Sequence, residues 1–112
     1  MDSADLRDFV EFSEEGPVRK TVFESERLFS QVVCVDVKGS YGPVSDPGAD
    51  ATVTVVAGEA SFQVGRSRKR LGQWGSVLVP AGAELNVANA SPEPLVLLVV
   101  TAPPPVLRSV SG

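Results

Sequence analysis

The sequence contains no histidine in its 112 residues. That absence removes the side chain most used for acid–base catalysis near neutral pH and for binding transition metals. Without imidazole, neither a serine–histidine nor a cysteine–histidine nucleophile can be assembled. Cysteine occurs once, at Cys34, which excludes a disulfide within the chain and a zinc site built on thiolates. Cys34 lies in an apolar run, so a buried, inert thiol is expected. Aromatic residues make up only 6% of the chain, and no interleaved aromatic array accompanies the basic residues to stack nucleic-acid bases. A phosphate-cradling glycine loop is missing too. Long apolar runs are absent: stretches such as Leu95 to Val100 fall far short of a bilayer span. The N-terminus shows no basic-then-apolar leader pattern. These gaps set the expectation of a cytoplasmic protein with neither membrane nor nucleic acid among its partners. The net charge of -4 agrees, and its distribution is uneven. Six of the fourteen acids, Asp2, Asp5, Asp8, Glu11, Glu14 and Glu15, fall in the first fifteen residues, leaving the remainder close to neutral.

What is present is the composition of one small globular domain, 43% hydrophobic and 21% charged. Residues 1–17 read as an acidic segment packing on the body, 18–105 as the body, and 106–112 as a tail. Within the first segment, Ser3 is a candidate helix cap, and Leu6, Phe9 and Val10 fall at helical spacing, which predicts a short helix or turn over Ser3 to Phe12. From Val18 onward the pattern is strand after strand. Strands are expected over 18–23, 28–38, 51–57, 60–64, 76–79, 84–88 and 95–101, with a further short piece near Arg70 and Leu71. The Gly-, Pro- and Ser-rich stretch Gly39 to Asp50 reads as a long loop, and Gly65 to Lys69 as a turn. Seven or eight short strands with no helix between them exclude a βαβ design and predict an all-β barrel or sandwich. The last strand is apolar on both faces, so its second face must meet the N-terminal segment, another sheet or a partner subunit; a homodimer is the expected assembly.

One stretch carries a recognisable pattern: Gly75-Ser-Val-Leu-Val-Pro80-Ala-Gly82-Ala-Glu-Leu85-Asn-Val-Ala-Asn89. It resembles the second signature of the cupins, which runs from a glycine through a strand to Pro-x-Gly, a metal-binding histidine and, four residues on, an asparagine. The gap from Gly75 to Pro80 is one residue shorter than the family's usual form. Leu85 stands where the family has histidine. The first cupin signature holds two histidines, a glutamate and then a glycine. With Gly58 as that glycine, Ala51 takes the glutamate position, and the histidine pair falls on Val44 and Asp46 or on Ser45 and Pro47. The resemblance covers most of residues 18–101 and implies a cupin-type jelly-roll barrel lacking the metal-binding histidines. It therefore implies no metal and no cofactor, because one carboxylate, Asp46, is a poor metal site.

Strand alternation places Ala51, Val53 and Val55 on one face and Leu85 and Val87 on another, so the implied lumen is apolar. Two readings stay open: a lumen packed by these side chains, or a small pocket lined by Tyr41, Asp46, Ala51, Val53, Val55, Leu85 and Val87 that takes a small apolar ligand. Arg66, Arg68, Lys69 and Arg70 cluster tightly, either as a solvated hairpin tip or as an anion patch. Tyr41 falls in the loop that would rim the barrel mouth, whereas Trp74 is expected to pack on the sheet or in a subunit interface. Asp50 reads as a loop terminator, Glu84 and Asn86 as outward-facing, and Asn89 as a turn former. The expected function is a metal-free small-molecule-binding or structural and regulatory cupin. The alternatives are a metal-independent isomerase, cyclase or lyase using carboxylate and tyrosine, or a protein-binding module using the basic segment 66–70.

Overall fold

β-Branched runs form strands because their stiff side chains pack well on a pleated surface. The computed structural model describes residues 1–105, so the expected tail 106–112 lies outside the described residues. The strands in order are β1 (Val18–Glu24), β2 (Phe29–Val35), β3 (Ser40–Val44), β4 (Asp50–Ala57), β5 (Ala60–Val64), β6 (Ser67–Leu71), β7 (Ser76–Val79), β8 (Leu85–Asn89) and β9 (Leu95–Ala102). They make a five-stranded sheet, β1-β2-β9-β4-β7, facing a four-stranded sheet, β3-β8-β5-β6. Each pairing among the described strands is antiparallel. This is the all-β, cupin-type jelly roll expected from the sequence.

Register decides which side chains meet. Val33 pairs with Leu97 and Leu97 with Val55, so this row of the large sheet points inward together. Opposite it, Tyr41, Val87 and Phe62 form a row of the small sheet. These residues, with Val35, Ala60, Leu95 and Val99, belong to the main core. Each fully buried Val, Leu or Phe contributes roughly 1.5–3 kcal/mol relative to exposure.

The opposite parity of β2 and β9 points outward, yet Val32, Cys34 and Val96 are also buried. Their cover is the N-terminal segment, whose Leu6, Phe9 and Phe12 pack against them. The expected helix is a single 3-10 turn, Leu6–Phe9, capped by Asp5 rather than Ser3. Leu6 and Phe9, three residues apart, suit that tighter winding, which eclipses i and i+3. Arg7 holds the Asp5 carboxyl down at about 2 through hydrogen bonds from its side chain and its backbone N–H.

Two expectations need correction. Residues 40–44, read as loop, form β3, and Ser67 to Lys69, read as turn, open β6. Gly42 and Pro43 weaken strand propensity, but β3 is an edge strand, where a missing N–H is tolerated. A pairing irregularity between Tyr41 and Val44 accommodates the pair. Gly42 has φ of +111, and a Cβ there would stand 2.5 Å from the Leu85 carbonyl oxygen, so only glycine allows this approach. No helix among the described residues is long and apolar enough to cross a membrane.

Candidate functional site

At one end of the two sheets the core stops short of filling the space between them. The inward row Thr21–Gln31–Val99–Val53 of the large sheet lies there, followed by Phe29–Thr101–Ala51–Val79. Against these rows the small sheet presents only Tyr41, Val44 and Leu85. The result is an open cavity of about 420 Å³, within the usual size range of small-molecule sites. Val53, Val79, Leu85 and Val99 make an apolar wall, and Arg19, Thr21, Gln31, Ser45, Asp46 and Thr101 supply polar groups.

Tyr41 is the central polar residue. It is only 6% exposed, and burial pushes its phenol above the usual tyrosine value. The Arg19 charge, together with the Arg19 and Gln31 side chains beside the phenol, pulls in the opposite direction. Burial prevails, and the hydroxyl keeps its proton. A protonated phenol has an O–H to donate. Arg19 belongs to none of the ion pairs among the described residues.

Five residues singled out in the sequence line this cavity together: Tyr41, Asp46, Ala51, Val53 and Leu85. Val55 and Val87 do not. They are 0% and 1% exposed and sit in the closed half, where Phe62, Leu95 and Leu97 fill the lumen. The lumen is thus packed at one end and open at the other, so each of the two sequence readings describes half of it. Arg19, Thr21, Gln31, Phe29 and Thr101 were not anticipated. Arg19 and Thr21 alternate with Val18, Lys20 and Val22 in the sequence, but parity alone does not say which set faces the lumen. Pairing of Arg19 with Val33 and of Thr21 with Gln31 decides it.

The basic cluster does not form one patch. Arg68 and Arg70 share one face of β6 and Lys69 takes the other, while Arg66 is in the preceding turn. Arg70 is paired with Glu59 and donates to the Ala90 carbonyl at 2.9 Å. Asp50 accepts from the Ala81 N–H at 2.8 Å, tying the start of β4 to the Pro80–Gly82 turn. Asn89 is a structural clamp. Its amide donates to the carbonyls of Val35, Asp36 and Glu93, and its oxygen accepts from Ser91 N–H in an Asx turn.

The cavity also locates the positions at which the family resemblance places metal ligands. Val44, Asp46, Ala51 and Leu85 all line it. A transition metal there would need several imidazole or carboxylate donors converging on one point. These positions offer one carboxylate, and one oxygen of it accepts from the Gly48 N–H at 2.9 Å. Arg19, a cation, lines the same space. No group of three or more His, Cys, Asp or Glu residues able to hold a metal occurs among the described residues. The donor set does not fit the metal of the metal-binding cupins.

Known proteins place the chain by fold and sequence. TT1209 from Thermus thermophilus superposes with a TM-score of 0.87 at 30% identity, covering 92% of this chain and 98% of that one. An uncharacterised conserved protein with a double-stranded β-helix domain from Klebsiella pneumoniae gives 0.86 at 23% identity, covering 92% and 90%. KdgF from a Halomonas species gives 0.74 at 19% identity over 83% and 84%, a likeness of fold alone. No curated protein matches the sequence. The cupin-domain profile matches residues 31–101, more than half of the sequence, and the chain belongs to the cupin family.

Proposed function

We propose that this cupin binds a small, partly apolar molecule in the open end of its barrel, without a metal. The observation that carries the reading is the cavity of about 420 Å³, apolar along Val53, Leu85 and Val99 and polar at Tyr41. Such a combination of greasy wall and few fixed polar groups is the usual make-up of a ligand site. Catalysis is not part of the proposal. Among the described residues the cavity holds a single carboxylate, Asp46, whose oxygen accepts from the Gly48 N–H. Nor is a role as a protein-binding module through the basic segment, because its side chains diverge.

Benzyl alcohol is a suitable neutral probe. Titration into the labelled protein is expected to shift the amide resonances of Tyr41, Ala51, Val53 and Leu85. Val53→Phe, which places a ring in the cavity, is expected to abolish the shifts. Shifts confined to other residues would overturn the reading.

We also propose self-association through the free edge of β7. Trp74 and Leu78 are 73% and 61% exposed beside that edge. Trp74 is held at φ 76, a left-handed conformation rare for a bulky residue, by its N–H bond to the Val55 carbonyl. Antiparallel pairing of one edge with its own copy is self-complementary and closes as a dimer. Sedimentation is expected to give a dimer for the natural sequence and a monomer for Leu78→Lys; a monomer in both cases would refute it.

A further inference from the structure

The polar groups of the cavity are unequal in kind, and their inequality narrows the ligand. Three donor side chains line the cavity together: the Arg19 guanidinium, the Gln31 amide and the Tyr41 hydroxyl. The Tyr41 O–H and the N–H groups of Arg19 are donors that a ligand in this cavity can meet. Arg19 is a permanent cation with no carboxylate partner among the described residues. The planar guanidinium fork matches a carboxylate and binds it in bidentate fashion. Beyond the donors the wall is hydrocarbon, at Val53, Leu85 and Val99.

Resting on the reading of the cavity as a ligand site, we propose that its ligand is a small monocarboxylic acid. The carboxylate lies on Arg19 and Tyr41, and the hydrocarbon body lies against Val53, Leu85 and Val99. A phosphate dianion fits less well, since one cation leaves it half neutralised. Asp46 also lines the cavity, and its charge disfavours a second carboxylate on the ligand. The same charge balance makes the cavity selective for a single anionic head on an apolar body.

Benzoate and benzyl alcohol differ mainly in the head group and serve as paired probes for calorimetric titration. Wild-type protein is expected to bind benzoate about tenfold more tightly than benzyl alcohol, the scale of one charge-assisted hydrogen bond. Arg19→Gln keeps amide donors and removes the charge, and it should lower benzoate affinity about tenfold, to that of benzyl alcohol, cancelling the preference. Arg19 is exposed, so this variant is expected to fold. Tyr41→Phe should weaken benzoate more than benzyl alcohol. The preference should also fade as pH falls through the acid's own pKa of about 4. Equal affinity for the two probes, or a preference that survives Arg19→Gln, would overturn the carboxylate proposal and leave the cavity reading standing. If neither probe binds the wild-type cavity, both fall together.

Discussion

The guanidinium of Arg19, on one edge of the large sheet, and the phenol of Tyr41, on one edge of the small sheet, line the same cavity, where the Arg19 charge acts on the phenol. Both stand at the barrel mouth, although β1 and β3 belong to different sheets. They set a cation and a neutral hydrogen-bond donor side by side at the entrance of an otherwise apolar space.

The phenol of Tyr41 has a direct optical test, because this is the only tyrosine in the chain. Burial raises its folded value above the ordinary 10.0. The folded protein therefore holds this proton more tightly than the unfolded chain does. The resulting stability is complete below the ordinary value and is lost as pH rises through the raised one. Phenolate absorbance in the native state is expected to appear only above about pH 10, and Tyr41→Phe should flatten the alkaline loss of stability. A native titration at or below the ordinary value would contradict this.

Leu97 and Leu85 are both buried but differ in what surrounds them. Leu97 lies in the packed half at 0% exposure, whereas Leu85 forms part of the cavity wall. Removing a side chain from a filled region leaves a new void, and removing one from a wall enlarges an existing space open to water. Leu97→Ala is expected to cost about 4 kcal/mol and Leu85→Ala about 2 kcal/mol. Urea denaturation measures both, and the reverse order would show the cavity to be misplaced.

Val44, Ala51 and Leu85 line one cavity beside Asp46. Combining Val44→His, Ala51→Glu and Leu85→His should therefore create a site for a divalent transition metal where the natural sequence lacks donors. Cobalt absorption and metal content after dialysis report it. A triple variant that folds but takes up no more metal than the wild type would break the correspondence with the family's ligand positions.

Cys34 is sealed under the N-terminal segment, and burial raises its thiol pKa. It should react slowly with a disulfide reagent in the native protein. Deleting residues 1–12 uncovers the Val32, Cys34 and Val96 patch and should accelerate labelling by about tenfold or more. Unchanged labelling would mean that this cover does not control access.

Much of this molecule could be read along the chain. Valine-rich alternation marks strands because the two-residue period is a local property of extended backbone. The spacing of Pro80, Gly82 and Asn89 pointed to the family and to an Asx turn at Asn89, while its bonds to Val35 and Glu93 emerge only in the fold. The strand at Ser40–Val44 was hidden, since Gly42 and Pro43 are weak strand formers and only pairing with β8 holds them extended.

Sequence alone determined an all-β cupin barrel without histidine, with an apolar lumen and Leu85 and Ala51 at the usual ligand positions. Tertiary structure alone decided how far that lumen is filled and what stands at its mouth. Val53 and Val55 are two residues apart on one face of β4, yet the first borders the cavity and the second is enclosed. The difference arises because the small sheet covers one row and leaves the next open. Arg19 and Gln31 likewise share a cavity with Tyr41 only through the pairing of β1 with β2 and the packing of one sheet on the other. Parity along a strand is a local property, but the facing of two sheets is a relationship among residues far apart in the chain.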